Sequence, residues 1–165
     1  MILRNAKKED LVAAYQCIED ARDYHKSLGF FQWPKTYPTP ALLEQDADNG
    51  IGYVFEENDV ICGYCTITFG DEADYQVIDG AWKTQRPYGV VHRMAFGAHC
   101  RGRGLATEAF SLIKNYCVTR GAEAIRIDTP PENMVMQHVL NRENFEYCGV
   151  VTVAGGPKLA YEWDK

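Results

Sequence analysis

A chain of 165 residues is long enough to bury a proper core in one domain, and 46% apolar with 24% charged residues is the composition of a soluble globular protein. A formal net charge of −6 argues against an electrostatic nucleic-acid binder and is compatible with a cationic amine as ligand. No apolar run approaches a membrane span and residues 1–8 hold no signal-peptide core, so a cytoplasmic protein with no membrane partner is expected.

Ile2, Leu3 and Arg4 read as a short strand, followed by a helix starting near Lys7 or Lys8. Leu11, Ala14, Tyr15, Ile18 and Ala21 share one face of that helix, which fades around Ser27, Leu28 and Gly29. Residues 30–40 are irregular and rich in proline and aromatics. Thr39 then has the form of an N-cap with Pro40 at the first helical position, and the short helix they open stops at Asn49 and Gly50. Residues 52–56 and 60–69 read as a hairpin turning at Glu57, Asn58 and Asp59. Residues 70–86 are acidic and then aromatic, with no element assigned. A buried strand over 90–96 leads through a glycine-rich turn into a long helix with Leu105, Ala109, Leu112, Ile113, Tyr116 and Cys117 on one face. A strand over 124–128, a helix containing Asn133 and two closing strands complete a mixed α/β order with helices on both faces of a sheet.

Six cysteines are present, and Cys62 and Cys65 have the C-x-x-C spacing. On a regular strand those two thiols point to opposite faces, which suits neither a zinc site nor a redox turn. Buried reduced thiols and no metal are therefore expected. Cys100 borders the glycine-rich turn and is not read as catalytic.

That turn, Arg101-Gly102-Arg103-Gly104-Leu105-Ala106-Thr107, is the richest feature of the chain. A helix N-terminus gathers unpaired backbone N–H groups at the positive end of the helix dipole, which suits a phosphate or pyrophosphate. Gly102 and Gly104 admit a ligand close to the backbone, and Arg101 and Arg103 add positive charge. No Lys follows the glycines as a Walker A loop requires. A dinucleotide fingerprint lacks its third small residue, Thr107 standing there, although Asp128 can be placed in the acidic role.

The spacing Arg101, Gly104, Ala106 resembles the acetyl-CoA loop of the GCN5-related N-acetyltransferase (GNAT) superfamily. His92 to Phe96 before the loop, Ala124 to Asp128 after it, and Asn133 with Phe145 twelve residues later resemble further parts of that family in its order. Asn144 stands where a Gly is usual, and Asn also adopts left-handed conformations at helix ends. Residues 31–39 and 158–162 resemble a bacterial subgroup of unassigned substrate. The resemblance implies a twisted, mostly antiparallel sheet with one parallel pair at the cofactor cleft, about four helices, and one N-acetyltransferase domain over residues 1–165.

It also implies roles. Acetyl-CoA as acyl donor would lie on Met94, Ala95 and Phe96, on the loop through Arg101, Gly102, Arg103, Gly104, Ala106 and Thr107, and on Asn133. The acceptor would be a small-molecule or peptide amine, and the assembly allowed is a homodimer. His92 stands where many members carry a glutamate base, and an imidazole with an ordinary pKa of about 6.5 can take that proton; a structural hydrogen bond is the other reading. Leu140 occupies the position where many members have a thiolate-protonating tyrosine, which leaves Tyr88, Tyr75 and Tyr161 as alternatives. Asn133 is placed just inside its helix, where a backbone contact is the plainer role. Arg93 can meet a carboxylate and, by strand alternation, faces away from His92. Trp33, Tyr37, Tyr75 and Trp82 fall in the territory of the acceptor groove. A non-catalytic CoA-binding sensor and a nicotinamide-dependent oxidoreductase are the competing classes.

Overall fold

In the computed structural model, which describes residues 1–154 and 156–165, the chain forms two compact units. One comprises Met1–Ile67 with His92–Leu112. Here β1 (Ile2–Asn5) pairs antiparallel with β2 (Gly52–Glu57), which pairs antiparallel with β3 (Val60–Phe69). Asn58 and Asp59 turn the β2–β3 hairpin with φ of 51° and 61°, the two left-handed residues of a type I′ turn. The helix expected from Lys7 or Lys8 starts later. Asp10 accepts the Lys7 N–H at 2.8 Å and pairs with Arg4, so Lys8–Asp10 close a 3₁₀ turn before α1 (Leu11–Ser27). Its buried face adds Cys17 and His25 to Ala14, Ile18 and Ala21. The expected cap opens α2 (Pro40–Asp48), where Thr39 Oγ1 accepts the Leu42 N–H at 3.2 Å.

The other unit comprises Thr68–Val91 with Ile113–Lys165. The segment read as irregular over 70–86 holds β4 (Ile78–Gly80), which pairs antiparallel with β7 (Glu146–Val153). Gly80 faces Gly149 across that pair with φ of 132° and 142°. A Cβ at either would stand 2.2 Å from a carbonyl oxygen, so only glycine permits this approach. From β4 the order continues to β7, β8 (Gly156–Asp164), β6 (Ala124–Thr129) and the first half of β5 (Tyr88–Phe96). Tyr88–Val91 of β5 run parallel to Ala124–Ile127 of β6, the expected parallel pair, and every other registered pairing is antiparallel. A parallel pair needs a crossover, supplied by α3 (Leu105–Thr119), whose buried residues include Phe110, absent from the expected stripe. α4 (Met134–Arg142) ends near Asn144, left-handed at φ 60° as anticipated.

The cysteines are free and buried, and burial pushes the Cys17 and Cys117 thiols up to about 12, so they pack as small hydrophobes. Among the described residues no helix is long and apolar enough to cross a membrane.

His25 carries a pH signature. Its ring stacks on Phe30 at 4.8 Å and its Nδ1 is buried without a partner. Burial, helped by the Arg101 charge, pulls its pKa from 6.5 down to about 4. The unfolded chain therefore takes up the proton first, so this contribution to stability is complete above about 6.5 and is lost as the pH falls toward 4. Urea titrations from pH 7 to 4 should show that decline, and His25→Phe should flatten it. An unchanged slope in the variant would assign the decline to other groups.

Candidate active site

The second half of β5 is irregular. Arg93 has φ 56°, a left-handed conformation that costs a non-glycine residue about 1–3 kcal/mol and needs support. Its Nη1 donates to Asp46 Oδ2 at 2.6 Å and its Nε to the Tyr37 hydroxyl at 3.0 Å. Asp46, 2% exposed, also accepts the Tyr64 hydroxyl at 2.8 Å. Burial and that adjacent carboxylate raise the Tyr64 phenol well above its usual range, so it remains a donor. The expectation that Arg93 turns away from His92 rested on regular alternation, which this residue breaks. The carboxylate that Arg93 meets is the protein's own. His92 is half-buried, and its carbonyl accepts the Thr66 hydroxyl at 3.4 Å.

Met94 and Ala95 are buried, and Phe96 stacks on Phe55 at 5.5 Å. Gly102 and Gly104 carry φ of 75° and 74°, and a Cβ built on either meets nothing within 4 Å. The turn is thus left-handed at both glycines and open on its outer side. Buried Leu105 anchors it beside Cys62 and Cys100, and the Thr107 N–H meets the Gly104 carbonyl at 3.2 Å. The start of α3 gathers backbone N–H groups at the positive end of its dipole, so the cradle fits a phosphate. The arginines are less free than their sequence suggests. Arg101 donates to the Asp20 carbonyl at 2.7 Å and lies 4.7 Å over the Tyr24 ring, while exposed Arg103 pairs with Glu57 at 2.5 Å. Trp33 lies edge-on to His25 at 5.7 Å, and Tyr37 is 38% exposed under the Arg93 guanidinium.

The remaining candidates belong to the other unit. Asn133 is the N-cap of α4, not inside it, and its Oδ1 accepts the Met136 N–H at 3.0 Å. Leu140 is fully buried. Tyr161 is buried on β8, and burial together with neighbouring Tyr147 raises its phenol pKa, which keeps the proton that a general acid needs. Tyr75 is 1% exposed and gives its hydroxyl to Asp128 at 2.7 Å. Trp82 donates its indole N–H to the Tyr75 carbonyl at 3.0 Å, and the Tyr88 hydroxyl accepts the Glu72 N–H at 3.3 Å. Tyr75, Trp82 and Tyr88 line one cavity of about 670 Å³ together with Arg126. Asp46, Tyr64 and the buried pair Arg126–Glu162 were not singled out in the sequence, because isolated charged residues carry no spacing signal.

The Acetyltransferase (GNAT) family matches residues 13–145 of the chain. An acetyltransferase of the GNAT family from Streptococcus agalactiae 2603 is 30% identical, with 99% of this chain and 94% of that one covered at a TM-score of 0.90. The chain belongs to the GNAT acetyltransferase family. Two further solved structures show the fold alone. The N-acetyltransferase from Staphylococcus aureus Mu50 is 22% identical at TM-score 0.65, with 99% and 97% of the chains covered. The aminoglycoside acetyltransferase AAC(6')-Ib in complex with coenzyme A and kanamycin is 20% identical at TM-score 0.72, with 99% and 94% covered. No curated protein matches. This GNAT acetyltransferase is an acyl-CoA-dependent N-acyltransferase with acetyl-CoA as donor and an amine as acceptor. Family membership sets aside the nicotinamide-dependent oxidoreductase.

Proposed function

We propose that residues 1–165 act as one N-acetyltransferase domain that moves an acetyl group directly from acetyl-CoA to a primary amine of a small molecule or peptide within a ternary complex. The observation that carries this reading is the open, left-handed Gly102–Gly104 cradle at the start of α3. Acetyl-CoA supplies the thioester whose C–S bond breaks as the new C–N bond forms. The backbone N–H groups of Gly102, Arg103, Gly104 and Ala106 hold the pyrophosphate with Thr107 beside them, and Arg103 exchanges Glu57 for a phosphate oxygen. The Met94–Phe96 backbone of β5 receives the pantetheine arm and donates to the carbonyl oxygen as negative charge develops there. Asn133 contacts the same arm. His92 accepts the amine proton, and Tyr161 or Tyr88 returns one to the sulfur. Trp33, Tyr37, Tyr75 and Trp82 serve the acceptor, with exposed Tyr37 held by Arg93 through its hydroxyl. The free cysteines suit a reducing, cytoplasmic setting. A homodimer is the assembly proposed.

A panel of amines assayed for CoA thiol release tests the reaction. Release with at least one amine supports it; stabilisation by acetyl-CoA without release from any amine would make the chain a non-catalytic CoA sensor. Acetyl-CoA should raise the melting temperature by mass action, by about 2.7 kcal/mol of stability at a hundredfold excess over Kd, and NAD should not. Gly104→Val should weaken acetyl-CoA binding roughly 5- to 150-fold, since a branched side chain at this φ costs about 1–3 kcal/mol and covers the open N–H groups. Unchanged affinity in the folded variant would move the phosphate elsewhere.

A further inference from the structure

Three potential ligand atoms converge beneath the turn that enters the glycine loop, within a single unit of the protein. The Cys62 and Cys100 sulfurs and an imidazole nitrogen of His99 all lie within 4.8 Å of one another. We propose that Cys62, His99 and Cys100 form a zinc site, independent of the acetyl-transfer chemistry.

The backbone prearranges the three ligands. Cys62 lies on β3, and its carbonyl accepts the Gly97 N–H at 2.9 Å, which ties that strand to the segment leaving β5. Ala98–Cys100 then close a 3₁₀ turn, with the Cys100 N–H on the Gly97 carbonyl at 3.0 Å, and this brings His99 and Cys100 back over Cys62. The His99 ring rests against Gly97 itself. A Cβ on Gly97 would stand 2.6 Å from the ring Cε1 and 2.8 Å from Nδ1, so glycine is what lets the imidazole lie there.

The donor set selects the metal. Two thiols and one imidazole are ligands for zinc, which binds sulfur at about 2.3 Å and nitrogen at about 2.0 Å in tetrahedral geometry. Tetrahedral sulfurs at that bond length stand about 3.8 Å apart, a separation inside the 4.8 Å limit on the three atoms, and the exposed His99 side chain can turn to complete the set. Cys62 and Cys100 are 1% and 2% exposed, whereas His99 is exposed, so the metal enters and water completes the fourth position from the His99 side. The charges balance. Zinc replaces two thiol protons, which pass to solvent as two Zn–S bonds form, and nothing is oxidised or reduced. The nearby cations are already matched, Arg103 by Glu57 at 2.5 Å and the Met1 ammonium by Glu108 at 2.8 Å. Cys65, three residues along β3, is not among the converging ligand atoms.

Cobalt titration of the reduced, chelator-treated protein is the direct probe. One equivalent of Co²⁺ should produce a thiolate-to-cobalt charge-transfer absorption that Zn²⁺ then removes. Cys62→Ser/Cys100→Ser should abolish it. Should that variant fold poorly, His99→Ala changes an exposed side chain and should weaken zinc binding by at least about tenfold against a chromophoric chelator. Gly97→Ala should weaken it as well, by displacing the ring with both thiols left in place. No charge-transfer band at one equivalent in the wild type, or equal zinc affinity in wild type and His99→Ala, would overturn the site.

Discussion

Replacing His92 with alanine is expected to lower kcat by about 10²–10⁴-fold while leaving acetyl-CoA affinity near wild type, the signature of a lost proton acceptor rather than a lost binding contact. The residue sits half-buried on β5, one position before the left-handed Arg93 and two before the buried Met94. An amine attacks only as the free base, so a group that takes its proton in the transition state acts on kcat. The wild-type pH profile should carry an ascending limb in the imidazole range that disappears in the variant. Arg93→Met offers a contrast, since it unpairs buried Asp46 and should reduce stability as well as turnover. A folded His92→Ala enzyme within about threefold of wild-type kcat, with the same pH profile, would return His92 to a structural role and require another acceptor.

Glu162→Ala is expected to destabilise the fold by about 3–5 kcal/mol, or roughly 6–20 °C in Tm for a chain of this size. The Glu162 side chain is fully buried on β8. Its Oε2 accepts Arg126 Nε at 3.0 Å, and its Oε1 accepts both the backbone N–H and the hydroxyl of Thr84, at 3.0 and 2.8 Å. Arg126 in turn donates to the Thr84 carbonyl at 2.8 Å and lies against Tyr88 at 3.8 Å and Trp82 at 4.3 Å. Removing the carboxylate leaves a buried guanidinium among aromatic rings without its counter-charge. Replacing both partners, as in Arg126→Met with Glu162→Leu, should cost less than the single change because no buried charge is left unpaired. Denaturant unfolding of the three proteins measures both effects, and a loss below about 1 kcal/mol for Glu162→Ala would mean that water reaches Arg126.

Features written in adjacent residues were legible in the chain itself. Asn58-Asp59 between two strands, Thr39 before Pro40, and Gly102 with Gly104 before an apolar stripe each act through bonds and dihedrals only a few residues long. Local chemistry settles such features, and the family's ordered motifs extended that reading to the cofactor. β4 escaped because three residues are too few to show alternation, and its place depends on Gly149, far along the chain, allowing the backbones to touch. The Arg93 conformation is sustained by Tyr37 and Asp46, 56 and 47 residues away, and nothing in the run from His92 to Phe96 announces it. The same holds for the thiols. The C-x-x-C spacing pairs Cys62 with Cys65, whereas the fold gives Cys62 the partners His99 and Cys100. Periodicity and turn chemistry act along the chain, so the sequence determined most of the elements, the glycine-rich turn and the family. Buried charges and metal ligands are chosen by proximity in space, and only the tertiary structure decided those.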